Sequence, residues 1–242
     1  MKMARVRQRA SCLADLQARV VSCRACPRLV RWREQVARDK RAAFQNEEYW
    51  GKPVPGFGDP AARLLICGLA PAAHGGNRTG RIFTGDRSGD WLYAALHRAG
   101  FANQAESSHR GDGLRLQDCY ITACVHCAPP VNRPTIEERD NCLPYLREEF
   151  RVLTSVRVIL CLGAFAWNGV LATLNELGWP TRPKPVFGHG QRFNAGPYTV
   201  IGSYHPSQQN TFTGRLTQKM LDDVLRLARE QLRNGRRPRP SD

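Results

Sequence analysis

The sequence predicts an α/β fold: a central, mostly parallel four-stranded sheet with helices on both faces. Two observations carry this. The runs at 63–68, 118–125, 156–163 and 198–203 are apolar almost throughout rather than alternating, as in strands covered on both faces. Between them lie segments with apolar residues at three- and four-residue spacing, long enough for crossover helices. The chain has 242 residues and 42% apolar content, enough for one large core. The expected organisation is a single domain over 11–233 and a basic, Pro-rich, disordered tail over 234–242.

The elements follow in order. A helix spans 11–39, broken at 23–27, with Leu13, Leu16 and Val20 on one face before the break. Leu29, Trp32 and Val36 continue the stripe after it, and Pro27 suits a first helical turn. A Gly- and Pro-rich loop covers 49–60, and the first strand follows at 63–68. A helix at 88–99 has Ser88 as its expected N-cap. After the second strand, Thr135 and Glu138 stand in capping-box relation at the head of a helix that runs to about 153. The third strand leads into a helix ending near 177, and the fourth is followed by a helix over 213–233.

Lys and Arg number 36 against 21 Asp and Glu, a net charge of +15. Such an excess favours polyanions, nucleic acid first among them, although an Arg-rich composition alone also produces it. No run is long enough for a membrane span and no apolar stretch follows the basic N-terminus, so a cytoplasmic protein is expected. Nine cysteines are many for a reducing compartment, and metal ligation explains a subset better than disulfides do. Cys23 and Cys26 form a Cys-x-x-Cys-Pro turn, and Cys127 and Cys142 bracket a Pro-rich loop and the helix after it. Four such ligands suit zinc or an iron–sulfur cluster, and their spacing does not choose between them. Cys67, Cys119, Cys124 and Cys161 read as small buried hydrophobes.

In a parallel sheet the site lies beyond the carboxyl ends of the strands. The loop after Gly68 is dense in Gly, Ala and Pro, ends at a helix N-terminus and carries Arg78, Arg81 and Arg87. It matches neither a P-loop nor a dinucleotide fingerprint. Phe83 in this loop is placed either to stack on a base or to plug the space beneath. His205 stands at the end of the fourth strand, followed by Pro206, Ser207, Gln208 and Asn210, where it would stabilise charge developing on a substrate. Asn132, in the loop after the second strand, offers donor and acceptor to a base edge or simply forms a turn.

These motifs together resemble one family. Gly68-Leu-Ala-Pro-Ala, Gly-Asn-Arg-Thr-Gly-Arg, Phe83-Thr-Gly-Asp86-Arg-Ser-Gly and His205-Pro-Ser-Gln-Gln-Asn are similar to the motifs of family 5 uracil-DNA glycosylases. Cys23, Cys26, Cys127 and Cys142 resemble the ligands of the [4Fe–4S] cluster shared by families 4 and 5. The resemblance runs from about Cys23 to Arg226.

It implies a three-layer α/β/α glycosylase fold with a structural [4Fe–4S] cluster and no catalytic metal. The implied activity is monofunctional: uracil and other deaminated bases such as hypoxanthine are flipped out of DNA and their N-glycosidic bond is hydrolysed. Asp86, His205 and Asn132 would be catalytic, with Asp86 supporting the attacking water or the sugar cation. Gly68, Ala70, Phe83, Arg81 and Ser207 would bind the substrate. Leu69-Ala70 fills the place where other families carry a water-activating side chain. Thr122-Ala123-Cys124 carries no amide where strict uracil readers place Asn, which implies relaxed specificity. The resemblance further implies a monomeric bacterial or archaeal protein whose partner is DNA. One rival is a non-catalytic nucleic-acid-binding protein stapled by zinc or iron–sulfur, which leaves the glycine-rich loop unexplained. The other is a phosphate hydrolase, which lacks a carboxylate cluster for its metal.

Overall fold

The computed structural model describes the backbone of residues 2–234 and the side chains from residue 8 onward. Residues 235–242 of the expected tail lie outside the described residues. The sheet has six strands: β1 (Phe57–Gly58), β2 (Leu64–Gly68), β3 (Cys119–Ala123), β4 (Val158–Leu162), β5 (Arg192–Ala195) and β6 (Tyr198–Ser203). Their order is β1-β3-β2-β4-β6-β5. The inner four are parallel and are the four the apolar runs indicate. The expected count of four is corrected by β1 and β5, antiparallel strands at the two edges. β1 has only two residues, and β5 carries exposed polar side chains at Arg192 and Asn194, so neither leaves an apolar run.

Among the described residues there are eight α-helices: α1 (Lys2–Ser22), α2 (Pro27–Asp39), α3 (Gly76–Thr79), α4 (Arg87–Arg98), α5 (Ile136–Val152), α6 (Ala164–Glu176), α7 (Gln208–Phe212) and α8 (Gln218–Asn234). None is long and apolar enough to cross a membrane. Alternate side chains of each inner strand enter opposite cores. Leu64, Ile66, Ile121, Leu160 and Ile201 pack with Leu92 and Leu96 of α4 and Leu221 and Leu225 of α8. Leu65, Tyr120, Ile159 and Val200 pack on the other face with Leu13 of α1, Leu146 of α5 and Trp167 of α6.

The local signals hold at several ends. The helix break falls at 23–26, and Pro27 opens α2. Thr135 caps α5 with the full reciprocal pair to Glu138. Three expectations are corrected. Asp86, rather than Ser88, caps α4, because its carboxylate accepts the Gly89 N–H at 3.1 Å. The helix expected from 213 starts only at Gln218, as α8, and a separate short α7 precedes it, joined by a turn in which Gly214 takes φ 71°. In α2 the buried stripe is Leu29, Val30, Arg33 and Val36, so an arginine joins it while Trp32 is only half-buried.

Glu149 of α5 is 2% exposed beneath the sheet, and burial pushes its carboxyl up to about 8. The folded protein therefore holds a proton that the unfolded chain releases near 4.5. Its contribution is complete below that value and disappears as pH rises through about 8. Denaturant titrations should show stability declining across that window in the wild type and a flatter profile in Glu149→Gln. Parallel profiles would refute the assignment.

Candidate active site and cysteine pocket

Two loops meet beyond the carboxyl ends of β2 and β6. Gly68 ends β2, and the Phe83 ring lies against it so closely that a Cβ on Gly68 would stand 2.8 Å from the ring. Opposite stands His205, its ring centroid 5.8 Å from that of Phe83 with the planes inclined by 33°. Phe83 has φ 52°, a left-handed backbone that a bulky residue rarely adopts. The neighbouring groups hold it there. Tyr93 donates its hydroxyl to the Ile82 carbonyl at 2.8 Å, and Thr79 donates to the Thr84 carbonyl at 3.2 Å. His205 is fixed by its backbone, whose carbonyl accepts the Asn210 side-chain N–H at 2.9 Å.

Asp86 completes this corner. One carboxylate oxygen caps α4, and the other reaches over Gly75, where a Cβ would come within 2.0 Å of it. Only glycine leaves room for that oxygen. Burial raises the Asp86 carboxyl above the usual aspartate range, against the N–H groups of Gly89 and Ser88 that lower it. Burial pushes the His205 imidazole down to about 4. At neutral pH the site therefore offers a neutral imidazole and a weakly solvated, more basic carboxylate.

Arg81 does not stand free for substrate, as the motif implied. Its guanidinium is 4% exposed and donates to both oxygens of Asp112, at 2.9 and 2.5 Å. It also donates to Thr84 Oγ1 at 2.9 Å and Ser107 Oγ at 2.8 Å. Asp112 in turn accepts the backbone N–H groups of Ser108 and Leu114. Its carboxyl lies well below the usual range, the bonds from Arg81 and these amides outweighing its desolvation. The pair thus ties the Phe83 loop to the 107–114 loop. Arg78, also buried, bonds the Gly85 carbonyl at 2.9 Å and the His74 carbonyl at 2.8 Å, pairs with Glu47, and packs on the Phe44 ring.

The other expected substrate residues, Ala70 and Ser207, and the expected catalytic Asn132 take separate places. Ala70 packs beside Leu29, Val125, Cys127 and Cys142. Ser207 caps α7, accepting the Asn210 N–H at 3.4 Å. Asn132 is exposed in a short 3-10 turn, at φ 55° beside Val131 at φ 47°. Asp112, Ser107 and Gly75 carry no motif of their own. Only the acidic partner that a buried arginine demands would have pointed to Asp112.

Cys23, Cys26, Cys127 and Cys142 line one pocket with Leu29, Val125, His126 and Tyr145. The four come from the α1–α2 turn, the loop after β3 and α5. Donors reach three of the sulfurs: Arg33 to Cys127 at 2.9 Å, the His126 N–H to Cys142 at 3.4 Å and Asn141 to Cys26 at 3.9 Å. Among the described residues, no three His, Cys, Asp or Glu side chains converge on one ion position.

Arg81→Met would strand the Asp112 carboxylate in a buried place. The expected loss is about 3–5 kcal/mol in urea denaturation, largely restored in Arg81→Met/Asp112→Leu. A single-variant loss below about 1 kcal/mol would place the pair among weak surface bridges instead.

A family model described as the uracil DNA glycosylase superfamily matches residues 55–229. The type-5 uracil-DNA glycosylase of Mycobacterium tuberculosis is 55% identical over 223 residues, spanning 91% of this chain and 82% of that protein. That of Thermus thermophilus is 51% identical over 207 residues, spanning 85% and 92%. That of Pyrobaculum aerophilum is 46% identical over 228 residues, spanning 94% and 97%. A match of this extent, over the strands and loops that build the Phe83–His205 corner, means that the chain belongs to the uracil-DNA glycosylase superfamily, within its type-5 group.

Proposed function

We propose that this chain is a DNA repair glycosylase that hydrolyses the N-glycosidic bond of uracil and other deaminated bases, monofunctionally, leaving an abasic site. The carrying observation is the Phe83–His205 pair with Asp86 on the neighbouring helix cap, at the strand ends where such folds bind ligands. The reading is supported over a non-catalytic binder by relatives named as glycosylases across most of their lengths. The bacterial and archaeal relatives likewise support a cytoplasmic enzyme acting on chromosomal DNA.

The chemistry follows from the residues. A base turned out of the duplex stacks on Phe83, which recovers part of the lost stacking energy. As the bond from the sugar C1′ to the base nitrogen breaks, its electron pair stays with the base. His205, neutral at pH 7, donates an N–H to the base oxygen on which the negative charge gathers. Water adds to C1′ and its proton passes to Asp86, whose raised basicity suits that role. Asn132, exposed in the loop after β3, would assist from that loop, and Ser207 fixes the α7 turn beside His205. Gly68 supplies the bare backbone against which the stacked ring rests. Arg81 serves by holding the loop rather than by touching the base.

The cysteine pocket suits a [4Fe–4S] cluster. Its four cysteines share one pocket, and N–H donors reach three of the sulfurs, a donor set that fits thiolates bound to a cluster. Cys23, Cys26, Cys127 and Cys142 would hold it. Bound there, the cluster supplies a cross-link between the α1–α2 turn and α5, away from the reacting base.

His205→Asn should lower single-turnover uracil excision by about 10²–10³-fold. The wild-type rate should rise with pH through an inflection above the ordinary aspartate value of about 3.9, because Asp86 works ionised. In Asp86→Asn that acidic limb should vanish; a profile shared by both proteins would remove Asp86 from the mechanism.

Thr122, Ala123 and Cys124 at the end of β3 are all buried and none carries an amide, which supports relaxed base selection. Duplexes with a single uracil, hypoxanthine or hydroxymethyluracil, treated with enzyme and then alkali, should break at each lesion. Cleavage at uracil alone would refute relaxed selection, and no cleavage at any lesion would refute the glycosylase reading.

A further inference from the structure

Arg33 lies outside the reacting corner, yet it is one of the largest fully buried side chains, at 2% exposure. A buried guanidinium is costly unless an anion faces it. Its nearest carboxylate, Glu34, stands 3.9 Å away, is one-third exposed and is already bonded by Arg24 through both oxygens. Nε of Arg33 has no partner. The close contacts are elsewhere: Nη1 donates to Cys127 Sγ at 2.9 Å, and Nη2 donates to the Cys23 carbonyl at 3.2 Å. The partner that balances this charge is therefore a sulfur of the cysteine pocket.

The same residue faces the active-site loop through its backbone. The Arg33 carbonyl accepts Nδ2 of Asn77 at 3.2 Å, and Asn77 is fully buried on α3. The next residue, Arg78, holds the Gly85 carbonyl at 2.9 Å, one residue before Asp86. Direct hydrogen bonds and adjacent residues thus lead from Cys127 through Arg33, Asn77, Arg78 and Gly85 to Asp86.

We propose that Arg33 is a positioning residue joining the two sites: its side chain binds the Cys127 thiolate, and its carbonyl sets the loop that carries Phe83 and Asp86. The inference rests on the cluster reading above. The guanidinium anchors α2 to the pocket through Cys127 and Cys23, and this fixes where its carbonyl meets Asn77. Two separable consequences follow. A positive charge on a ligand sulfur favours the reduced cluster, so removing it makes the reduction potential more negative. Loosening the Asn77 contact shifts Asp86 and Phe83 and slows the chemical step while leaving DNA binding in place.

The test uses the purified, cluster-loaded protein. Iron and sulfide per chain, visible absorption, reduction potential by voltammetry, single-turnover uracil excision and DNA half-saturation are measured for wild type, Arg33→Gln, Arg33→Lys and Asn77→Ala. Arg33→Gln should show a more negative potential, faster bleaching by a chelator and excision slowed by about 10- to 100-fold at unchanged half-saturation. Asn77→Ala should keep the wild-type potential and lose excision to a similar degree. Arg33→Lys keeps the charge without the two-pronged grip, so its potential should lie nearer the wild type while its excision still falls. Should the Gln protein not fold, the Lys variant decides through excision. A wild-type potential in Arg33→Gln, wild-type excision in Asn77→Ala, or wild-type excision in Arg33→Lys would overturn the inference. Iron-free wild-type protein would instead overturn the cluster reading on which it stands.

Discussion

The loop between β2 and α4 has few apolar side chains with which to fill its own interior, and buried guanidinium groups take over that task. Arg78 and Arg81 turn inward and bond carbonyls and carboxylates that would otherwise lie unsatisfied. From α2, the Arg33 carbonyl accepts the Asn77 side chain of the same loop. Each planar group offers up to five N–H donors in fixed directions, which suits a backbone rich in exposed carbonyls. The left-handed Phe83 and the close Asp86–Gly75 contact both depend on this frame. An apolar core would fill the same volume without dictating where the carbonyls point.

Within that frame two ionisable groups are driven toward opposite ends of their titration by the same cause. Desolvation keeps the His205 ring neutral and makes the Asp86 carboxylate more basic. A low-polarity corner therefore suits both a neutral donor to a leaving group and an acceptor for a water proton. The strong excess of basic residues elsewhere keeps the molecule matched to a phosphate backbone.

Much of this architecture was legible in the residues. The inner strands announced themselves because both faces are covered, so their side chains are uniformly apolar. The head of α5 was legible because a capping box is a local contract between Thr135 and Glu138. What escaped was non-local. β1 and β5 are edges, held by their neighbours rather than by their own composition. Ser88 suited the cap by type alone, but it is the Asp86 carboxylate that reaches the Gly89 N–H. Arg81 looked like a substrate contact because its partner, Asp112, lies in another loop. Arg33 was invisible in the periodic pattern because a charged residue is counted as an exposed face, and its inward partners are the Cys127 sulfur and the Cys23 carbonyl. The Phe83–His205 pairing was anticipated through two separate strand-end motifs, whereas the placing of Ala70 toward the cysteines was not.

The cysteine pocket also draws together segments of the chain that are made at different times. Its first pair leaves the ribosome with the α1–α2 turn, and its last member follows only with α5. Until then α2 has no pocket wall to dock against, and the glycine-rich loop, made in between, has no anchor on that side. A group that bridges the two halves closes a loop of roughly 100 residues, a constraint that removes about 4–5 kcal/mol of freedom from the unfolded chain in the chain-entropy account. Were the four cysteines to hold a metal group, its assembly and the completion of the catalytic loop would be one late folding event, and the supply of that group would act as a checkpoint on the maturation of the enzyme.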